Sequence, residues 1–198
     1  MSDPGMPNFL IVGAQKAGTT ALYQYLRQHP EVFMSPIKEP HFFAFEEKDL
    51  DFRGPRDRET LGHMVVRDER AYRDLFAGAA GEKARGEASA MYLYMEEAVG
   101  GIGRHAPDAK LVAVLRSPAE RAYSGFLHMV RDGREPIPDF ERALAAEEER
   151  IRGNWSPIWH YRRTGFYHGQ ISRYREAFGS ERLRVYLYED LEKNPEGV

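Results

Sequence analysis

Residues 9–12, with the sequence Phe-Leu-Ile-Val, form a continuous apolar run that leads directly into a loop bracketed by Gly13 and Gly18. Such a run is typical of a strand in a parallel sheet that is covered on both faces. After the loop, Leu22 and Tyr25 mark one face of a helix. Glycines let backbone N–H groups close around an anion, and a helix N-terminus adds unpaired N–H groups and the positive end of its dipole. The arrangement predicts an α/β fold that binds a phosphate or a similar oxyanion.

The remaining chain alternates strand-like and helix-like segments in the order expected of an α/β layer fold. No internal repeat or linker interrupts this order, and 198 residues suit one domain with a sizeable core. The further predicted elements are a short strand and turn over 85–94, strands at 110–115 and 183–187, and helices at 118–131, after Asp139 and at about 166–178. We therefore predict a three-layer α/β fold with a central, mainly parallel sheet flanked by helices.

Four segments have a local structural interpretation. Residues 45–70 are rich in Asp, Glu and Arg and are predicted to form a surface excursion. Residues 117–120, Ser-Pro-Ala-Glu, match a capping box with proline at the first helical position. The acidic run at 147–149 is predicted to be a solvated helix face. The aromatic segment at 155–167 is predicted to be core, with the wall of a binding cleft as the alternative.

Composition narrows the possible partners. The 28 basic and 31 acidic residues give a net charge of −3, so we expect no nucleic-acid partner, because phosphate-backbone binding needs a concentrated excess of Lys and Arg. There is no cysteine, and the seven histidines show no paired ligand spacing, so no metal site is predicted. The N-terminal sequence has neither a basic segment nor an apolar run of ~18–20 residues, which predicts a cytoplasmic protein without membrane insertion. Oligomeric state is left open.

The loop differs from the Walker pattern of nucleotide triphosphatases in one position. Both glycines and the terminal hydroxyl residue are present in Gly13-x-x-x-x-Gly18-Thr19-Thr20, but Thr19 stands where that pattern has lysine, and the lysine lies inside the loop as Lys16. The alternative interpretation is a glycine-containing turn without a ligand.

A second cation follows the strand at 110–115. Arg116 comes at the carboxyl end of that strand, where α/β sheets bind ligands, and a guanidinium there suits capture of a second phosphate and disfavours a divalent cation. Ser124 lies about two helical turns further on and could add a hydroxyl. The alternatives are an ion pair between Arg116 and a neighbouring carboxylate, and a packing role for Ser124.

These two segments resemble the donor site of a known enzyme family. Residues 9–22 are similar to the 5′-phosphosulfate-binding loop of the sulfotransferases that use 3′-phosphoadenosine 5′-phosphosulfate (PAPS). Residues 115–118 with Arg121, Tyr123 and Ser124 resemble the 3′-phosphate-binding segment of that family. The resemblance is nearest to the branch that includes heparan sulfate sulfotransferases and bacterial relatives. It implies a P-loop-like fold and transfer of a sulfuryl group without a metal, with adenosine 3′,5′-bisphosphate as product.

The resemblance also assigns roles to residues. Lys16 would stabilise the negative charge that develops on the oxygen between phosphorus and sulfur, because a fixed cation there lowers the barrier. Backbone amides of the loop would hold the 5′-phosphate, and Arg116 and Ser124 would hold the 3′-phosphate. The residues expected to bind the donor are Gln15, Lys16, Ala17, Gly18, Thr19, Thr20, Arg116, Ser124 and Tyr167.

The acceptor must lose a proton during attack, so a general base is expected near the sulfur. In the heparan sulfate branch a glutamate shortly before paired aromatics acts as this base, and Glu39 matches it. His41 is the alternative because its ordinary pKa of ~6.5 suits the task. A purely structural role, in which Glu39 pairs with Lys38 and His41 packs, is the remaining possibility.

One segment departs from the family pattern. Several branch members have Glu-Lys-Ser/Thr-Pro where this chain has Glu87-Ala88-Ser89-Ala90. The lysine that helps the chemistry in those relatives is missing, so their carbohydrate specificity does not transfer directly. Glu87 is kept as a candidate for lining the acceptor site.

The function predicted from the sequence is sulfuryl transfer from PAPS to a hydroxyl, or an amine, of a small-molecule or carbohydrate acceptor. A P-loop nucleotide kinase and a non-catalytic nucleotide-binding module are the alternatives. Residues 1–198 are expected to be a single catalytic domain without its C-terminal part, since relatives continue past the region of 194–198 with further helices and a basic, glycine-containing loop.

Overall fold

The computed structural model describes residues 5–46 and 48–194, and these contain one five-stranded sheet. Its strands are β1 (Phe9–Gly13), β2 (Val32–Met34), β3 (Ala84–Ala88), β4 (Lys110–Leu115) and β5 (Leu183–Leu187). The order across the sheet is β2-β3-β1-β4-β5, and every neighbouring pair is parallel. The predicted α/β fold with a parallel sheet is confirmed.

Helices fill the connections between the strands. Within the described ranges they are α1 (Thr19–Leu26), α2 (Phe42–Phe45), α3 (Asp57–Met64), α4 (Glu69–Asp74), α5 (Glu96–His105), α6 (Pro118–Arg131), α7 (Phe140–Ala145), α8 (Glu147–Arg152), α9 (Tyr167–Phe178) and α10 (Tyr188–Lys193), with 3₁₀ turns at Pro157–Trp159 and Arg163–Gly165. None of these helices is both long and apolar enough to cross a bilayer.

The direction of the connections divides the helices between the two faces of the sheet. The connection from β1 through α1 to β2 moves one way across the sheet, whereas those from β3 to β4 and from β4 to β5 move the other way. Parallel crossovers are right-handed, so opposite directions place α1 on one face and α5 and α9 on the other. The chain therefore leaves the adjacent strands β1 and β4 towards opposite faces, and a crevice opens between their carboxyl ends.

The sheet interior explains why β1 has no polar residue. All five of its residues are buried, and β3 and β4 flank it on either side. Its side chains belong to a core that also takes in Tyr23, Phe42 and Ile102. A second apolar cluster surrounds Trp159.

The strands predicted at 9–12, 110–115 and 183–187 and the helices at 118–131 and 166–178 are confirmed to within one residue. Periodicity was sufficient for these elements because each has either a fully apolar run or one apolar face. Asp139 accepts a hydrogen bond from the backbone N–H of Arg142, which confirms the predicted cap.

Three local predictions were wrong, and each involves a charged residue. Residues 45–70 include α3, whose Asp57 and Leu61 are buried. Glu147 is also buried, because the backbone N–H groups of Arg162 and Arg163 donate to its carboxylate. The side chain of Ser117 makes no capping bond, and Glu120 accepts from Arg116 instead of closing a capping box.

The end of the chain holds an additional helix. The sequence interpretation placed no helix between the strand at 183–187 and residue 194, whereas α10 follows β5 directly. The part of that interpretation that concerns residues 195–198 lies outside the described residues.

Asp57 connects three segments that are distant in sequence. Its Oδ1 accepts from Arg134 Nη2 at 2.7 Å, from Ser156 Oγ at 2.8 Å and from Trp159 Nε1 at 2.9 Å, and its Oδ2 accepts from the Ser156 backbone N–H at 2.9 Å. Four donors replace the water that the carboxylate loses on burial, which explains why a charged residue lies in the interior.

Replacing Asp57 with Ala should lower the free energy of unfolding by about 3–5 kcal/mol, because the guanidinium of Arg134 would be left buried without its partner. Urea denaturation measures the change. The control is Asp49→Ala, since Asp49 is fully exposed and lies 3.5 Å from Arg67, and it should cost less than about 1 kcal/mol. Equal effects of the two substitutions would contradict this account.

Candidate functional site

The crevice between the ends of β1 and β4 is a cleft of about 440 Å³. Nine of the residues singled out from the sequence line it: Gln15, Lys16, Gly18, Thr19, Thr20, Glu39, His41, Arg116 and Ser124. The loop after β1, the segment after β2 and the residues after β4 thus meet in one place, as expected for the carboxyl edge of a parallel sheet.

The loop between β1 and α1 has the form of an anion site. Gly18 caps α1 with φ of 87°, and a Cβ on it would lie 2.8 Å from the ring of Tyr188. Both constraints require glycine here. Lys16 also adopts a left-handed conformation with φ of 63°. The unpaired N–H groups in the first turn of α1 face this loop from the helix N-terminus, which carries partial positive charge.

Several cations act on Lys16. Partial burial lowers the pKa of its ammonium most, and the nearby charges of Arg131, Lys38 and Arg116 lower it further, whereas Asp132 raises it. Like charges held together in a partly buried cleft are relieved by an anion. The net charge of the chain is negative, yet this cleft is locally positive.

Arg116 is held in place at the end of β4. Its guanidinium lies 4.6 Å from the centre of the Tyr188 ring, and its Nε donates to Glu120 Oε2 at 3.2 Å. The hydroxyl of Tyr167 donates to the Arg116 backbone carbonyl at 3.0 Å. Ser124 faces the same cleft from α6.

Hydrogen bonds from the end of β3 fix the segment that contains Glu39 and His41. Both residues have positive φ, 65° and 51°. The Glu39 backbone N–H donates to the Ala88 carbonyl at 2.9 Å, and the His41 backbone N–H donates to Ser89 Oγ at 3.0 Å. The Ala90 backbone N–H donates to Glu39 Oε2 at 2.8 Å. The residues at and just after the end of β3 therefore hold both the backbone and the carboxylate.

Glu39 and His41 differ in their access to the cleft. The side chain of Glu39 is 19% exposed and pairs through Oε1 with Lys38, whereas that of His41 is 1% exposed. His41 Nε2 lies 3.3 Å from Glu39 Oε2. Burial lowers the pKa of the imidazole, and although Glu39 partly opposes this, the ring is neutral near pH 7. The geometry thus places a reachable carboxylate in front of a buried neutral imidazole.

Three candidates from the sequence lie behind the cleft surface. Ala17 is fully buried, and its backbone N–H donates to the Ala14 carbonyl at 3.2 Å. Tyr167 acts on the cleft through the backbone of Arg116. Glu87 is fully buried in β3, so the expectation that it lines the acceptor site was wrong. Ser89 Oγ donates to Glu87 Oε2 at 2.8 Å, and the Tyr72 hydroxyl donates to Oε1 at 3.3 Å.

The cleft also contains residues that the sequence interpretation did not single out. Met64 and Met91 form an apolar part of its lining, and no local pattern distinguishes them from core residues. Ile158 joins them from the segment 155–167, for which the wall of a cleft was the alternative interpretation. His128 lines it one turn after Ser124, and Tyr188 directly follows β5. The spacing of four residues on α6 and the position after a strand were the available signals for these two.

One group of three potential metal ligands occurs in the described part of the chain, outside this cleft. Glu46, Glu69 and His105 offer atoms within 4.8 Å of one another. Arg104 donates to Glu46 and Arg73 to Glu69, each at 2.8 Å. Because guanidinium groups already neutralise both carboxylates, the group is better described as an ion-pair network than as a cation site.

Comparison with known proteins shows what the chain is similar to. Residues 7–198 match the family model described as the sulfotransferase family. The chain is 32% identical over 170 residues to human carbohydrate sulfotransferase 15, covering 71% of this chain and 30% of that protein. It is 30% identical over 205 residues to mouse heparan sulfate glucosamine 3-O-sulfotransferase 6, covering 99% of this chain and 52% of that protein.

A solved structure is more similar still. The crystal structure of a sulfotransferase from Alicyclobacillus acidocaldarius superimposes with a TM-score of 0.89 at 44% identity, covering 96% of this chain and 76% of that chain. The chain spans between about a third and a half of the length of the two curated relatives named above.

The raised pKa of Glu87 predicts that the free energy of unfolding falls as the pH rises. Burial is the main reason that the pKa of this carboxyl is raised to about 7, from an ordinary value of 4.5. Between these two values the folded protein binds more protons than the unfolded chain, so this contribution is complete below about pH 4.5 and is lost by about pH 7.

Glu87→Gln should remove that dependence. Measured by urea denaturation between about pH 5 and pH 8, the difference between the wild-type and variant free energies of unfolding should change by up to about 3 kcal/mol across this range. The exposed Glu176→Gln serves as the control and should keep the wild-type slope. A wild-type slope in Glu87→Gln would contradict the assignment.

Proposed function

The chain belongs to the sulfotransferase family, and from that premise we propose that it transfers a sulfuryl group from PAPS to a hydroxyl, or less readily an amine, of a small-molecule or carbohydrate acceptor. The observation that carries this proposal is the convergence of Lys16 and Arg116 in one cleft from the ends of adjacent strands. Two separate anion-binding elements suit a nucleotide with phosphate groups at both ends of its ribose.

The residues present fit such a donor. Lys16 and the N-terminus of α1 would hold the 5′-phosphosulfate, and Arg116 with Ser124 would hold the 3′-phosphate. The volume of about 440 Å³ lies within the range of small-molecule sites. When bound, PAPS supplies the sulfuryl group and leaves as adenosine 3′,5′-bisphosphate. Tyr188 orients the Arg116 guanidinium by stacking, so the arginine is partly preorganised.

Each polar group near the acceptor end has a separate task. Lys16 stabilises the charge that develops on the leaving phosphate. Glu39 takes the acceptor proton, and Oε1 is the atom that receives it, because its partner is the flexible Lys38 side chain while Oε2 is fixed by Ala90. His41, buried and neutral, lies behind the carboxylate, with its Nε2 3.3 Å from Glu39 Oε2. Lys16 at the sulfuryl end and Arg116 at the 3′-phosphate end would neutralise the donor without a divalent cation, so we propose that transfer is metal-independent.

The acceptor end combines the base with an apolar wall. Met64, Met91 and Ile158 line the cleft together with Glu39, and such side chains suit the apolar face of a sugar ring or an apolar alcohol. The relatives are named as carbohydrate sulfotransferases. Ala88, at the position of the lysine in several of those relatives, is buried in β3. We therefore propose a neutral hydroxyl compound, either a saccharide or a small alcohol.

Arg116 should discriminate between nucleotides. By calorimetry without Mg²⁺, adenosine 3′,5′-bisphosphate should bind in the micromolar range, and Arg116→Ala should weaken it about 10- to 100-fold because one charged hydrogen-bonding partner of the 3′-phosphate is lost. Adenosine 5′-monophosphate, without that phosphate, should bind both proteins about equally. The exposed Arg175→Ala is the control. Tight binding of Mg·ATP together with indifference to the bisphosphate would instead support a kinase.

Glu39→Gln should lower kcat by about 10²- to 10⁴-fold, because an amide cannot accept the acceptor proton. Turnover is followed with radiolabelled PAPS and the best acceptor from a panel of phenols, alcohols, amines and saccharides. Bisphosphate affinity should stay within about twofold of wild type, and Glu176→Gln is the matched control. Retained activity in Glu39→Gln combined with its loss in His41→Gln would transfer the role of base to His41.

A further inference from the structure

We propose that Glu87 is a positioning residue for sulfuryl transfer, and that it acts on Glu39 and His41 through the hydroxyl of Ser89. This inference rests on the proposed function, because the roles of Glu39 and His41 are part of that proposal. Glu87 itself is fully buried and does not reach the cleft.

The backbone at Glu39 and His41 needs an external constraint. Both are residues with a side chain in the left-handed region, at φ of 65° and 51°, a conformation that is unfavourable unless the surroundings impose it. The constraint comes from the end of β3. The Ala88 carbonyl, Ser89 Oγ and the Ala90 N–H form three of the hydrogen bonds that hold the segment, and the Val66 backbone N–H donates another to the Pro40 carbonyl at 2.8 Å.

Of the three groups at the end of β3, only the Ser89 hydroxyl can rotate and so change the direction of its hydrogen. The hydroxyl has one hydrogen, and the oxygen already accepts from the His41 backbone N–H at 3.0 Å. The hydrogen is directed to Glu87 Oε2 at 2.8 Å. In its ionised form the Glu87 carboxylate only accepts, so it fixes the hydroxyl with its hydrogen on one side and its lone pairs towards His41. Without that acceptor, the fully buried Ser89 hydroxyl would lose the partner that directs its hydrogen and would keep only its contacts with the His41 N–H and the Tyr92 side chain.

A second contact holds the residues immediately after His41. The Tyr92 hydroxyl accepts from the Phe43 backbone N–H at 3.2 Å, and a hydrogen bond between Tyr92 and Glu87 lowers the pKa of Glu87. Glu87 thus contacts both side chains, Ser89 and Tyr92, that receive backbone N–H groups from the segment 41–43. One buried carboxyl organises both acceptors.

The groups that face Glu87 determine its charge. Burial raises the pKa of Glu87 to about 7, hydrogen bonds from Ser89, Tyr92 and Tyr72 oppose the shift, and the charge of Glu39 adds to it. Tyr174 faces the carboxyl from α9, and the pKa values of these tyrosines are raised, so they are neutral near pH 7. The charge of Glu39 therefore disfavours ionisation of Glu87.

A buried carboxyl is not an efficient way to fill space. Burial of an ionisable group is unfavourable, and an apolar residue of similar volume usually packs as well or better. An apolar residue at position 87 would fill the same volume without directing the Ser89 hydroxyl. The positioning role therefore separates two substitutions, because Gln keeps an acceptor for Ser89 whereas Leu does not.

The test compares Glu87→Leu, Glu87→Gln and Ser89→Ala, with the exposed Glu176→Gln as control. Three quantities are measured: kcat with radiolabelled PAPS and benzyl alcohol as the probe acceptor, the Kd of adenosine 3′,5′-bisphosphate, and hydrogen exchange of the His41 backbone amide. Ser89→Ala removes the same connection with a smaller change in volume, so it tests the proposal if Glu87→Leu does not fold.

The expected result is a fall in kcat of about tenfold or more in Glu87→Leu and Ser89→Ala, faster exchange at the His41 amide, and a Kd within about twofold of wild type. The wild-type kcat should change near pH 7 as Glu87 ionises, whereas Glu87→Gln should retain most of the activity and lack that change. Wild-type kcat and wild-type exchange in Glu87→Leu or Ser89→Ala would overturn the proposal. An equal loss of activity and of bisphosphate binding in Glu87→Leu and Glu87→Gln would also overturn the proposal, because that result indicates a purely structural role.

The exchange measurement separates this inference from the proposed function. If the wild-type protein binds the bisphosphate but transfers nothing to the probe acceptor, the proposed function is the part that fails for that acceptor. Faster exchange at His41 in both variants would still support the Glu87–Ser89 connection, and unchanged exchange would overturn it.

Discussion

The handedness of parallel crossovers determines where this protein can bind a ligand. β1 and β4 are neighbours, but the chain leaves them in opposite directions across the sheet, so their loops diverge to opposite faces. The resulting crevice receives Lys16 from one strand end and Arg116 from the other. Neither cation alone defines a nucleotide site, and their separation is set by the spacing of two hydrogen-bonded strands rather than by flexible loops.

A second constraint acts at the acceptor end, where the chain adopts an unfavourable backbone conformation. Glu39 and His41 follow β2 in the chain, and β2 lies beside β3 in the sheet. The end of β3 supplies the hydrogen bonds that hold them. Because β3 also pairs with β1, the carboxylate and the anion loop are fixed to one rigid sheet. This explains how a short segment outside regular structure can hold the proposed base at a defined place.

The sequence was sufficient for five of the regular elements and for the cation pair, and insufficient for the buried acids. Apolar runs and faces identify β1, β4, β5, α6 and α9 because burial of apolar area is a local property of the pattern. Asp57, Glu87 and Glu147 are buried for a different reason, since donors elsewhere in the fold satisfy them. Ser156, for example, lies 99 residues from Asp57. A charged side chain in a polar segment indicates solvent exposure unless the distant donors are known.

The pair of Arg116 and Glu120 suggests how the donor site stays ordered before binding. Glu120 is 60% exposed, and an ion pair between partly exposed groups contributes little to stability. A phosphate carries more charge and can bind the guanidinium at two points, so it exchanges with Glu120 at small cost. The stronger restraints on Arg116, which are the Tyr188 ring and the hydrogen bond from Tyr167 to its carbonyl, are independent of Glu120. The arginine can therefore release the carboxylate without losing its position, and the ordering of its side chain does not have to be supplied by the binding event.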